Sequence, residues 1–173
     1  MRFSIQHSLQ ILERTPAVLE SLLSDLPEEW THINEGADTW SAFDIVGHLI
    51  HGEKTDWMVR VRIILSEGDK NFKPFDRFAQ LKDSEGKTLA NLLEDFKALR
   101  KTNLAELKGL NLGEDELNLQ GMHPHFGQVT LRQLLATWVV HDLNHIWQIS
   151  RVMSKQYNEE VGPWTEYLGI LKS

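Results

Sequence analysis

Cysteine is absent from the 173 residues. That excludes disulfides, thiolate zinc sites and a cysteine nucleophile. Any metal must therefore be held by nitrogen and oxygen. Also missing is a run of about 18 apolar residues, the length that a membrane-spanning helix needs. Cationic residues are in the minority, 18 against 25 acidic ones, for a net charge of -7. A nucleic-acid binder needs a basic surface to neutralise phosphates, and this chain offers none of any size. Its one tight basic cluster, "RVR" at 60–62, reads as helix surface. The first segment, "MRFSIQHSLQILERTP", lacks the apolar core and small-residue cleavage site of a signal peptide, so the cytoplasm is the expected address. No stretch of four or more residues alternates clearly enough to be read as a strand.

What is present is helical spacing of apolar residues, in a chain of a length that suits one domain over residues 1–173. Thr15-Pro16 reads as a helix start, cap then proline, with Val18, Leu19, Leu22 and Leu23 following, and a shorter helix or kinked extension before it. Ser41 and Asp44 form a capping box for a second helix over 41–66. A third helix spans 88–108 with Leu89, Leu92, Leu93, Phe96, Leu99 and Leu107 on one stripe. Thr130 and Gln133 open a fourth, running to about 155. Four long amphipathic helices predict an all-α four-helix bundle. Phe72, Phe75 and Phe78 are expected to pin the long 69–86 connection to it, and Trp164, Tyr167 and Leu168 to dock the tail, 161–171.

The chemistry-bearing residues are histidines, of which there are eight. In "HDLNHIWQISR", His141 and His145 stand one turn apart, so their rings can share one ion. This spacing alone is weak, since two such histidines can equally be polar residues at the rim of a core. A third ligand would come from the second helix, where "IVGHLIHGEKTDW" offers His48 or, one turn on, His51. Glu53 falls near the middle of that helix's apolar stripe and so needs a partner, either the site or an arginine across the bundle. Asp142 and Asn144 are further candidates to orient a ligating imidazole, although Asp142 points about 100 degrees away from His141. His123 and His125 flank a proline ahead of the fourth helix and read as loop residues.

Taken in order, "ERTPAVLESLLSDLP", "TWSAFDIVGHL", "HPHFGQVTLRQLLATWVVHDLNHIWQISR" and "VGPW" resemble the DinB-like superfamily of four-helix bundles. The resemblance implies up-down-down-up connectivity and one divalent metal on three histidines: His48 from the second helix, His141 and His145 from the fourth. Glu53, Asp142 and Asn144 would then sit around the ligands. The superfamily includes bacillithiol S-transferases and mycothiol-dependent maleylpyruvate isomerases, which implies a transferase joining a low-molecular-weight thiol to small electrophiles. A metal-dependent hydrolase is the alternative, and a metal-stabilised interaction domain, dimeric through exposed helix faces, is the non-enzymatic one. Zinc and nickel both suit imidazole ligands. The expected partner is a small-molecule substrate, with no nucleic acid and no membrane.

Overall fold

In a computed structural model the described residues are 2–172. The first arm of the bundle is a pair of helices, α1 (Ile5–Leu12) and α2 (Thr15–Leu23), and a one-turn α3 (Glu28–Thr31) follows. The second arm is α4 (Ala42–Thr55) and α5 (Trp57–Leu65); the third, after the short α6 (Ala79–Asp83), is α7 (Leu89–Gly109). A short α8 (Glu114–Asn118) and a hairpin, β1 (Gln120–His123) with β2 (Gly127–Thr130), lead into the fourth arm, α9 (Leu131–Lys155). No helix is long and apolar enough to cross a membrane. Reciprocal capping boxes start α4 (Ser41, Asp44), α7 (Thr88, Asn91) and α9 (Thr130, Gln133). Thr15 does not cap. It is the first residue of α2, and its hydroxyl donates back to the Ile11 carbonyl.

Side-chain pairs fix the directions of the arms. Glu20 meets Lys97 and Glu13 meets Lys108, so the first arm runs antiparallel to α7. Glu53 meets Arg100 and Arg62 meets Glu106, so the second arm runs parallel to α7. His48 meets His141 and Glu53 meets Trp138, so α9 runs antiparallel to α4. The order is up-down-down-up. Two parallel neighbours, the second and third arms, need a connection that returns the full length of the bundle, which explains the long 66–88 segment.

The core is divided. Leu12, Trp57, Met58, Val61, Leu104, Leu135 and Trp138 belong to one apolar cluster. Leu19, Val46, Leu49, Phe96, Ile149 and Val152 belong to the other. Between them lies a buried polar layer. Arg100, 1% exposed, donates from Nη1 to Asp142 Oδ2 (2.5 Å) and the Leu12 carbonyl (2.9 Å). Its Nη2 reaches Asp142 Oδ1 (2.9 Å) and Glu53 Oε1 (2.8 Å), and its Nε donates to Glu53 Oε1 (3.0 Å). Glu53 also accepts from Asn103 Nδ2 (2.8 Å) and Trp138 Nε1 (3.2 Å). Four guanidinium hydrogen bonds and one further ion-pair contact leave no nitrogen of Arg100 without a partner, and every arm contributes a group.

Three expectations change. The second helix is not continuous over 41–66 but breaks at Asp56. Asn103 Nδ2 donates to the Glu53 carbonyl (2.9 Å), the acceptor a continuous helix would offer Trp57, and an inserted side chain of this kind kinks a helix. The 110–130 connection holds a hairpin that pattern reading missed. Its four-residue strands are held by tertiary contact, since a Cβ at Gly121 would lie 2.5 Å from the Phe72 ring. Gly127, at φ +74°, turns it. The tail does not bury its aromatics: Trp164 is 67% exposed and Tyr167 80%. It forms short 3₁₀ turns that seat half-buried Ile170 and Leu171 instead, and the turn geometry leaves the rings outside. Phe72 is buried as expected, but Phe78 is exposed.

Replacing Arg100 by Met would leave two buried carboxylates with no cation. Urea unfolding should show a loss of about 3 to 5 kcal/mol. A loss under 1 kcal/mol would mean that the polar layer does not hold the arms together.

Candidate metal centre

His48 lies two turns into α4 and is placed by the Ser41 capping box; His141 and His145 lie three to four turns into α9. Gly47 lets the α6 segment approach beside His48, since a Cβ there would stand 2.5 Å from Ser84 Oγ. The three imidazoles converge. His48 Nε2 is 3.2 Å from His141 Nε2, which is 3.1 Å from His145 Nε2. Nitrogens bound to one ion at about 2.1 Å stand about 3.0 to 3.4 Å apart, so this spacing fits a shared cation. Three ring nitrogens aimed at one point cannot all be satisfied by hydrogen bonds among themselves. At most one bridging proton can serve a pair, and the remaining lone pair faces other lone pairs. A cation resolves that conflict.

The protonation states suit ligation. Burial, then His145, holds His48 down to about 3. Burial, again followed by His145, holds His141 down to about 2. Burial also lowers His145. All three rings are therefore neutral at pH 7. His145 Nδ1 lies 2.8 Å from Gln148 Oε1. An amide oxygen can only accept, so Nδ1 carries the proton and Nε2 presents a lone pair. Gln148 escaped sequence reading; its position three residues after His145 was the available signal. The Nδ1 atoms of His48 and His141 are buried with no partner among the described residues.

The other candidates sort themselves. His51 stays outside the cluster, 3.6 Å from Asp83 and with its ring against Phe75. Glu53 and Asp142 point their oxygens at Arg100 and not at an imidazole, so neither orients a ligand by hydrogen bonding. The arginine partner anticipated for Glu53 is Arg100. Burial raises the Glu53 carboxyl although Arg100 pulls it down. Asn144 lines the cavity in front of the histidines. His123 sits in the hairpin, stacked on Phe126 at 4.6 Å. Arg60, expected on the surface, is only 8% exposed and pairs with Asp56 at 2.7 Å. Burial pushes the Asp56 carboxyl up to about 6.

Two cavities are lined by both His48 and His141. The larger, about 950 Å³, is lined by all three histidines and by Trp40, Arg77, Asn144, Gln148 and Arg151, among others. The smaller, about 300 Å³, is lined by His48 and His141 with Trp57, Phe72, Phe75 and Phe126. Phe75 lines both.

Depressed histidine pKa values set a pH dependence. The unfolded chain takes up protons on these rings below about 6.5, and the folded metal-free protein does not. Their contribution is complete above that pH and is lost as pH falls towards 3. Asp56 and Glu53, raised by burial, act the other way as pH falls, but three imidazoles outweigh two carboxyls, so denaturant midpoints of metal-free protein should drop from pH 7 to pH 5. A flat profile would contradict the buried neutral cluster.

A family model described as the DinB superfamily matches residues 11–149, a span containing all three histidines. A comparison with curated proteins finds no match. Among solved structures, YfiT from Bacillus subtilis superimposes with a TM-score of 0.75 at 22% identity, over 90% of this chain and 92% of YfiT. YfiT is described as a probable metal-dependent hydrolase with an unusual four-helix bundle topology. At that identity the likeness speaks for the fold. The family model spans most of the chain, and by that match the protein belongs to the DinB superfamily.

Proposed function

We propose that the protein is a metal-dependent transferase that joins a low-molecular-weight thiol to a small electrophile at His48, His141 and His145. The observation that carries this reading is the pair of cavities of different character meeting at the cluster. Hydrolysis of one substrate needs one pocket and water. Two pockets that share His48, Phe75 and His141 in their linings suit two reactants brought together at the cluster. The larger carries Arg77, Arg151, Asn144 and Gln148, groups fit for a polar thiol. The smaller is walled by aromatic rings, fit for an apolar electrophile.

A divalent ion on three neutral imidazoles, zinc or nickel by its donor set, lowers the pKa of a thiol or water bound to it. The chain's own residues do the rest. Burial keeps the imidazoles neutral, Gln148 sets the tautomer of His145, and Phe75 contributes to the wall of both pockets. With no cysteine in the chain, sulfur must enter as substrate. The thiol gives its proton to solvent or the leaving group. Its sulfur then bonds to the electrophilic carbon while the leaving group departs with the bonding pair, and no redox change occurs. Hydrolysis is the second reading, supported by the description of YfiT. A purely structural site is less suited to nitrogens that line a wide cavity and have no fourth His, Asp or Glu grouped with them among the described residues.

Untagged protein should purify with close to one divalent ion per chain. His145→Ala should abolish retention while moving the urea midpoint of the metal-free form only slightly. Gln148→Ala should weaken affinity about 10- to 100-fold, the usual effect of removing an imidazole's supporting partner. Metal analysis after dialysis checks both, and full retention by His145→Ala would remove the site.

The transferase reading is tested by mass spectrometry on a matrix of biological thiols and small electrophiles, with metal-loaded and metal-stripped protein. A thiol–electrophile conjugate formed only with metal is the expected product. A product carrying hydroxyl in place of the leaving group, made equally well without thiol, would make the protein a hydrolase.

A further inference from the structure

The smaller cavity is walled mostly by apolar and aromatic side chains, with Gln133, Thr137 and three histidines as its neutral polar groups and one pair of opposite charges. Asp56 and Arg60 both line it, and both are 8% exposed. A buried arginine can serve structure alone, as Arg100 does with every nitrogen partnered inside the bundle. Arg60 is different. Its one acceptor among the described residues is Asp56, through Nη2 at 2.7 Å, and its guanidinium lies 5.1 Å from the centre of the Phe72 ring. Arg60 lines the cavity, and none of its nitrogens is both sealed from solvent and without a partner. Desolvating an ion pair beside Trp57, Phe72 and Phe126 costs stability unless the arginine's donors are eventually used.

From this we infer that Arg60, positioned by Asp56, determines specificity in the smaller cavity, and that the compound bound there has a flat apolar body bearing a neutral oxygen acceptor such as a carbonyl or nitro group. The aromatic walls take the body. The pair is net neutral, so it favours a dipole over a free carboxylate, which would meet the Asp56 charge. A volume of about 300 Å³ holds one substituted ring and little more. Assigning this compound the role of electrophile rests on the transferase reading; its binding does not.

The test uses the full-length protein stripped of metal, so that no ion on His48 and His141 can capture a carboxylate in the same cavity, and, without thiol, three probes: acetophenone, ethylbenzene and benzoate. Binding is followed by the Trp57 indole N–H resonance. Acetophenone should bind about tenfold tighter than ethylbenzene, the worth of one hydrogen bond from a charged donor. Benzoate should bind more weakly than acetophenone. Arg60→Met should erase the preference and leave ethylbenzene binding within about twofold, because the apolar walls remain. The double variant Asp56→Asn/Arg60→Met removes both charges together and gives the same reading if the single variant folds poorly. Equal binding of acetophenone and ethylbenzene to the unaltered protein, tightest binding of benzoate, or a preference that survives Arg60→Met would each overturn the assignment. The two readings fail separately. An Arg60-dependent preference with no thiol conjugate would sink the transferase and keep the subsite. Conjugates of acceptors that show no such preference would do the reverse.

Discussion

The bundle is organised around a single guanidinium. Arg100 reaches the Leu12 carbonyl, Glu53 and Asp142, and so ties its own helix to the other three arms. On each arm the division between the two apolar clusters falls at this level: between Leu12 and Leu19, at Glu53, at Arg100 and Asn103, and at Asp142. A buried charge is weak evidence of stability, because an apolar replacement of the whole group can be as stable. What it provides here is phase. Asp142 must face Arg100, which sets the rotation of α9. His141 and His145, about 100 and 60 degrees away round the helix, are then carried to the side that faces α4. Glu53 sets the rotation of α4 in the same way and carries His48 round to meet them. The histidine cluster depends on a layer that none of its members touches by hydrogen bonding.

This dependence explains which parts were legible in the sequence. Capping boxes at Ser41 and Thr130 are local, built from residues three apart, and both occur where expected. The i, i+4 pair of histidines is equally local. The choice of His48 over His51 was not, since a helical wheel puts both on the flanks of the apolar stripe, and only the resemblance selected His48. Long-range partners were least visible. Arg100 and Arg60 carry apolar stems under charged heads, and an arginine in a helix reads by default as surface. Nothing local marks either as buried. The hairpin escaped for a related reason. Its strands are four residues long with a glycine in each, and their stability comes from Phe72 packing against Gly121, residues far apart in the chain. The tail was misjudged because aromatic content alone does not dictate burial, and single exposed apolar residues are common on folded proteins.

The break in the second arm connects the structural layer to the cavities. By donating to the Glu53 carbonyl as well as its carboxylate, Asn103 interrupts the helix one turn before Trp57. The new helix starts with Asp56 and Trp57 turned inward. Trp57 stacks on Trp138 with ring centres 5.6 Å apart, and stands edge-on to His141 at 5.0 Å. Asp56 holds Arg60 on the wall of the smaller cavity. A straight helix over 41–66 would carry Arg60 through a different angle relative to His48. The break is therefore what permits a single arm to supply both an imidazole at the cluster and a charged pair in the pocket behind it.

Two buried arginines in one small bundle, one in the central polar layer and one just past the break in the second arm, illustrate how burial alone fails to assign a role. Arg100 and Arg60 have similar exposure and both face carboxylates. The difference is in the count of donors satisfied by the protein itself. Each nitrogen of Arg100 already has an oxygen partner, and any small molecule reaching it would have to displace a bond that holds two arms together. Arg60 has one carboxylate partner among the described residues, Asp56, and lines a cavity that a ligand or solvent can fill. Satisfied polarity belongs to the fold, and unsatisfied polarity in an apolar pocket belongs to whatever enters it.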